Sequence, residues 1–317
     1  MDIIQLYRIA KMYFLDGMRQ GDIAAVENLS RSQISRLLSK AREQGIVQVD
    51  VSLPATMETD ELSMFLENVL SLDHVRIVSV PANITAAEKI NESIAIAAVD
   101  YLPALMRRYQ TVGLGWGRTM YQMSTNMSYH IGDCETTFVP LVGSAGFSNP
   151  NFQINFIIDR VARKLKGRYV FTNISAIQEN SVPFSRIETK QIYLLQQYWD
   201  KLDMVVFGLG SKNNSDIYLD REVTDEYMGK VREANVLGEI LTQFFDQEGK
   251  VVGLNSEYNH TACNIQKLKK AKHSICLAGG KEKAEPLLVA ARAGFFNELI
   301  TDSNTAQLIY KMIRREE

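Results

Sequence analysis

Between residues 75 and 314, short runs of β-branched and aliphatic residues alternate with stretches of helical period, and glycine recurs where the runs end. A run of four to six such residues is strand-length, and a helix between two strands returns the chain for a parallel pairing. The pattern predicts strands over 75–80, 111–114, 137–142, 168–172, 204–208 and 274–278. Helical patterns fall at 88–105, 118–129, 155–165, 189–201, 283–293 and 305–314. Strand–helix alternation of this kind implies an α/β domain with a mostly parallel sheet, whose ligands sit beyond the carboxyl ends of the strands.

A chain of 317 residues holds more than this one domain, and its first fifty residues read differently. Ile3, Leu6, Tyr7, Ala10, Tyr13 and Phe14 share one helical face, and Gly17 ends that helix. A shorter helix fits 20–27, followed by the turn Asn28-Leu29-Ser30. Ser30 is placed to cap a third helix, from Arg31 to about Gln44, with Gly45 behind it. Ile34, Leu37, Leu38 and Ala41 form its buried face. Its other face carries Arg31, Ser32, Gln33, Ser35, Arg36 and Lys40, and between 31 and 42 there are four basic residues and no acidic one. Val47, Val49, Val51 and Leu53 then alternate with polar residues, which predicts a strand or hairpin beside the helices. Residues 54–60 read as a linker, so the expected organisation is 1–53, a linker, and 61–317.

The third helix suits a major-groove reader. Its first turns carry Gln33 and Arg36, which match adenine and guanine edges, while Arg31 and Lys40 are suited to phosphates. The rest of the chain argues against a broad polyanion surface, since 35 basic against 37 acidic residues leave a net charge of −2. The competing reading is a small helical cap with one solvated basic face.

Other classes fall away on composition. Cys134, Cys263 and Cys276 lie far apart, and His74, His130, His260 and His273 make no His-x-x-x-His pair, so no zinc site, disulfide framework or cofactor is expected. The longest uncharged run, 136–158, is broken by Pro140, Gly143, Gly146 and Pro150, so it is not a membrane span. Asp2, Arg8, Lys11 and Asp16 interrupt the first apolar residues, which is unlike a signal peptide and predicts a cytoplasmic protein.

Four glycine-bearing stretches fall at strand ends: Gly113 to Thr119, Pro140 to Gly146, Gly208 to Ser211 and Ala278 to Lys283. Glycine lets backbone amides approach an anion, and a helix start adds partial positive charge. None matches the dinucleotide fingerprint, the P-loop or the serine elbow of hydrolases. Singly each reads as a tight turn; together they point to a small anionic ligand.

The segment DIAAVENLSRSQISRLLSKAREQGIVQVDV resembles the helix-turn-helix of the SorC family of sugar-binding transcriptional regulators, departing before it at Gly21, where that family often has an acidic residue. VGLGWGRTM resembles the family's phosphate-cradling loop and FFDQEGKVV its F-D-x-x-G-x-x-V segment. LAGGKEKAEPLLVAARAGFFNELITDSNTAQLI is similar to its C-terminal signature, with the motif lysine on Lys283 and Pro286 in place of alanine. The resemblance spans nearly the whole chain and is weakest between 145 and 200. It implies an effector site at Gly115, Trp116, Gly117, Arg118, Thr119, Gly143, Ser144, Asp246 and Lys283. Gly115 to Thr119 and Lys283 would hold a phosphate, and Asp246 would accept from sugar hydroxyls.

What the resemblance implies is a regulator of a carbohydrate-utilisation operon, binding operator DNA and a phosphorylated sugar or polyol, and assembling as a homodimer or homotetramer. The alternative is a sugar-phosphate isomerase- or deaminase-like enzyme with an accessory N-terminal domain. Asp133, Glu179, Asp246 and His260 are its acid–base candidates, but no compact catalytic constellation appears in the sequence.

Overall fold

A computed structural model describes residues 3–47, 55–144, 153–212, 225–253 and 258–316. The chain divides into two compact units, residues 1–54 and 55–317.

The first unit is three helices, α1 (Ile3–Phe14), α2 (Gln20–Glu27) and α3 (Arg31–Glu43). Leu6, Ile9, Ile23, Ala24, Ile34, Leu37 and Leu38 form its core. The faces of α2 and α3 are those read from the sequence, but the buried stripe of α1 runs through Leu6, Ile9 and Ala10, leaving Ile3 and Tyr7 of the expected face exposed. Arg8 clamps α1 to α2 through two bonds to the Glu27 carboxylate, 2.8 and 2.7 Å. This guanidinium holds the Glu27 carboxyl below its ordinary range. Asn28 ends α2 in left-handed backbone, φ 54°, and the chain re-enters helix three residues later. Gly45 follows α3 at φ 72°, and the Ile46 amide reaches back to the Ala41 carbonyl, as a glycine-terminated helix requires. The strand expected over 47–53 falls, apart from Val47, outside the described residues.

The second unit opens with α4 (Ala55–Leu70), so the linker expected over 54–60 is helix from Ala55 onward. Thr59 to Leu70 carries Leu62, Leu66 and Leu70 at four-residue spacing, and these enter the core; the polar first turn masked that pattern. There follow β1 (His74–Val78), α5 (Ala87–Val99), α6 (Leu102–Met106), β2 (Thr111–Leu114), α7 (Arg118–Asn126), β3 (Thr137–Pro140), α8 (Ile154–Leu165) and β4 (Arg168–Tyr169). Then come β5 (Ile177–Glu179), α9 (Arg186–Trp199), β6 (Met204–Phe207), β7 (Gly210–Ser211), α10 (Asp225–Glu233), β8 (Gly238–Ile240), β9 (Gln243–Phe245) and β10 (Tyr258–His260). The chain closes with α11 (Ile265–Leu268), β11 (His273–Leu277), α12 (Ala284–Arg292), β12 (Glu298–Asp302) and α13 (Ser303–Glu316).

Seven strands form one sheet in the order β1-β12-β11-β6-β2-β3-β4, every pair parallel. The six strands read from the sequence all lie in it. The seventh, β12, was hidden inside the C-terminal motif, because ELITD begins and ends on a carboxylate although all five residues are buried. The helix expected over 88–105 is two, α5 and α6, parted at Asp100 and Tyr101 before Pro103. The helix expected from 189 begins at Arg186, because Ser185 and Glu188 form a capping box one turn earlier. β7, β8 and β9 make a small antiparallel sheet, and β10 pairs with β5.

From β2 the chain moves outward through β3 and β4, whereas from β6, the neighbour of β2 on its other side, it moves through β11 and β12. The β2–β6 boundary is therefore the switch point, where crossovers diverge and leave a crevice beyond the strand ends.

Candidate functional site

Three of the four glycine stretches converge on that crevice. A cleft of about 570 Å³, part of it open to solvent, lies beyond the ends of β2 and β6. Its walls are the loop after β2 (Trp116, Gly117, Arg118, Thr119), the loop after β6 (Gly208 to Gly210), Lys283, Asn91 of α5, and Glu239 and Leu241 of the β8–β9 hairpin.

Gly117 precedes α7 at φ 111°, a backbone region closed to other residue types, and no side chain caps the helix. The first turn of α7 therefore starts at the cleft with no N-cap side chain between its amides and a ligand. Gly280 repeats the arrangement ahead of the turn Lys281–Lys283 and α12, again at φ 111° and again uncapped. Asp302, fully buried, clamps that second loop. Its carboxylate accepts from the Gly280 amide (3.1 Å), the Thr305 amide (3.0 Å) and the Thr305 hydroxyl (2.5 Å). A Cβ on Gly279 would collide with the same carboxylate. The two ends of the C-terminal motif are therefore one device that fixes where Lys283 points.

Lys283 is 7% exposed, and among the described residues it has no ion-pair partner. Burial lowers its pKa, with Glu282 opposing, and Arg118 beside it pushes the same way as burial. A buried ammonium without a counterion is unfavourable, and an anion in the cleft would relieve it. Glu239, 9% exposed, also lines the cleft, within electrostatic reach of Lys283, and accepts from the Thr242 amide at the hairpin tip. The Thr119 hydroxyl donates to Asn91 Oδ1 at 3.0 Å, leaving the Asn91 amide as the donor at the cleft. The cleft thus combines cationic groups and N–H donors with one carboxylate.

Four expected effector residues lie elsewhere. The Gly115 amide is spent on the Val206 carbonyl (2.8 Å), because the residue lies where β2 passes Phe207 and a Cβ would strike that side chain. Gly143 and Ser144 donate their amides to Thr261 and Ile174, and the Ser144 hydroxyl bonds Gln153. Asp246 does not line the cleft: its Oδ1 accepts the Glu248 and Lys250 amides, both at 2.9 Å, and so holds the turn before Gly249. Thr119 has its hydroxyl proton committed to Asn91. Trp116, Gly117, Arg118, Thr119 and Lys283 do come together. Glu239 and Asn91 were not found from sequence: each sits in an ordinary local context, and only the fold carries them to the cleft.

The enzyme reading fares no better in three dimensions. Glu179 accepts from Ser181, Asp246 holds its turn, and His260 is bonded to Thr242 and Tyr227. Neither Asp133 nor any of these three lines the cleft.

In the first unit, Arg31, Ser32, Gln33, Ser35 and Arg36 are exposed and Lys40 is partly so. Gln33, however, closes a capping box. Its Oε1 accepts the Ser30 amide (2.8 Å) while its own amide donates to the Ser30 hydroxyl (3.2 Å). A bidentate contact to adenine needs that oxygen, so Gln33 can offer only its side-chain N–H while the cap stands. Arg42 stacks over Phe14 at 5.3 Å and belongs to the packing of α3 on α1.

Known proteins resemble the chain along nearly its whole length. The sugar-binding domain family matches residues 55–311. The sorbitol operon regulator of Klebsiella pneumoniae is 26% identical, covering 98% of both chains. The transcriptional regulator LsrR of Escherichia coli is 26% identical over 97% of this chain and 94% of its own. The deoxyribonucleoside regulator of Bacillus subtilis is 24% identical over 95% of each. The crystal structure of full-length SorC from Klebsiella pneumoniae superposes with a TM-score of 0.71 at 25% identity, covering 98% of this chain and 99% of that one. These relatives are transcriptional regulators and not enzymes. With its α/β unit matched along nearly its whole length, the chain belongs to the sugar-binding domain family.

Proposed function

We propose that this protein is a DNA-binding transcriptional regulator whose operator affinity is set by a phosphorylated sugar or polyol held in the cleft. The observation that carries the reading is Lys283, a buried ammonium without an ion pair among the described residues, beside Arg118 and two helix starts that no N-cap side chain closes. A phosphate supplies the opposite charge and accepts from the amides of these helix starts. Glu239 and the Asn91 amide then receive hydroxyls of the carbon chain, a role first assigned to Asp246. That the relatives include regulators named for a sorbitol operon and for deoxyribonucleosides supports a carbohydrate ligand.

In the first unit, Arg36, Ser32 and Ser35 face base edges, and Arg31 and Lys40 hold phosphates. One short recognition helix discriminates too little, so the protein works as a homodimer or homotetramer reading paired half-sites. A thermal-shift screen of sugar and polyol phosphates against their unphosphorylated parents tests the ligand class, since a ligand of the folded state raises the midpoint by mass action. Equal response with and without the phosphoryl group would refute it. Sedimentation of the full chain tests the assembly: a strictly monomeric species, also on DNA, would refute that part.

A further inference from the structure

The β8–β9 hairpin turns through Leu241 and Thr242, and both hold left-handed backbone, φ 51° and 66°. A two-residue turn with positive φ at both positions normally carries Asn and Gly. Leucine and a β-branched threonine are there against their preference, so neighbouring contacts must hold them. Leu241 packs close to Gly115 at the cleft wall. The Thr242 amide donates to Glu239 Oε1. Behind the turn, His260 Nδ1 lies 3.0 Å from the Thr242 carbonyl and 3.3 Å from its hydroxyl, and His260 Nε2 lies 3.4 Å from the Tyr227 hydroxyl.

Chemistry sets the direction of this chain. Burial lowers the His260 pKa and raises that of Tyr227, so at neutral pH both are uncharged. A neutral imidazole has one N–H, and a carbonyl can only accept. The proton therefore sits on Nδ1 and donates to Thr242, while Nε2 accepts from the Tyr227 O–H. The order runs Tyr227 to His260 to the Thr242 carbonyl and, across the Thr242 Cα, from the Thr242 amide to Glu239, from a fully buried phenol to a carboxylate at the cleft.

We infer that His260 is the positioning residue for the carboxylate of the cleft: by holding the Thr242 carbonyl it fixes the turn whose Thr242 amide places Glu239 where a ligand hydroxyl meets it. It sets discrimination among polyol phosphates and leaves the grip on the phosphate to Lys283, Arg118 and the helix starts. This rests on the reading of the cleft given above. None of Tyr227, His260 and Thr242 itself lines the cleft.

The test is calorimetric titration of the full-length protein with inorganic phosphate, glucose 6-phosphate, fructose 6-phosphate and sorbitol 6-phosphate. His260→Leu is expected to weaken the best-bound sugar phosphate by about tenfold, the loss of roughly one oriented hydrogen bond, and to level the order among the three. Inorganic phosphate should bind as in the parent. His260→Asn, whose amide N–H can replace Nδ1–H, should restore the order. Should His260→Leu fail to fold, Tyr227→Phe keeps the ring and removes only the hydroxyl that orients the imidazole, and the same levelling is expected. Parental order and affinities in the folded Leu or Phe variant would overturn the inference, as would an equal loss of inorganic phosphate. A parent that prefers none of the three sugar phosphates to inorganic phosphate would instead overturn the reading of the cleft, and the inference with it.

Discussion

Replacing Lys283 by methionine keeps the volume of the side chain and removes its charge, and the structure fixes opposite signs for two consequences. Without ligand the ammonium is buried, has no ion-pair partner among the described residues, and has a pKa lowered by desolvation. Lys283→Met should therefore stabilise the ligand-free protein, by about 1 kcal/mol or more, because an uncompensated buried charge is exchanged for apolar packing. In a domain of this size that is a rise of about 2–4 °C in the midpoint. With ligand the sign reverses. A charged hydrogen bond to phosphate contributes about 1.5–3 kcal/mol, so effector affinity should fall about 10- to 150-fold. Operator affinity without effector should not change.

The pH dependence separates this from a generic packing effect. Between the lowered folded pKa of Lys283 and the ordinary lysine value, the unfolded chain binds more protons than the folded one. Stability from this group thus rises with pH in that window. A bound anion favours the charged form, so binding takes up a proton there, and affinity declines as pH rises through the window. Lys283→Met should show neither effect. Differential scanning fluorimetry without ligand and calorimetry with sugar phosphate, each at several pH values, read both. A variant less stable than the parent that still binds effector normally would refute the reasoning and reduce Lys283 to a helix-end residue.

Four further outcomes follow from other contacts. Asp246→Ala should lose about 1–2 kcal/mol of stability, since two turn amides lose their acceptor, with effector affinity unchanged by calorimetry. Arg36→Ala should weaken operator binding by about 1–3 kcal/mol and relax sequence preference, read by competition against random DNA. Asp302→Asn should lose both stability and effector affinity, because an amide nitrogen then faces one of the donors that the carboxylate accepts; unchanged affinity in a folded variant would show that the loop holds without it. His260 is buried with a lowered pKa, so between that value and about 6.5 the unfolded chain binds the extra proton. Stability should fall as pH drops through this window, and urea titrations of His260→Asn should give a flatter profile.

How much of this was legible in the residues differs by kind of signal. The helices of the first unit announce themselves by apolar period, and the α3 start by Ser30, because caps and faces are local and the tertiary fold has little to add. Six of the seven sheet strands were equally plain from their apolar runs; β12 was not, since its terminal Glu298 and Asp302 mimic a surface loop until their partners are known. Glu298 is held by His273, and Asp302 by a glycine loop more than twenty residues upstream. The cationic groups of the cleft were legible because glycine at a helix start has a local reason that a sequence displays. Its carboxylate was not. Asp246 stands in a motif and was chosen for that, yet an aspartate two residues before a turn amide serves the turn with the same oxygen a ligand would need. Glu239, seven residues earlier, has nothing beside it to mark it. Its placement depends on a hairpin whose tip breaks the usual turn chemistry and is held from behind by His260. A motif records where backbone geometry is demanding; the residues that choose among ligands can stand on undemanding backbone, and only the fold brings them to the site.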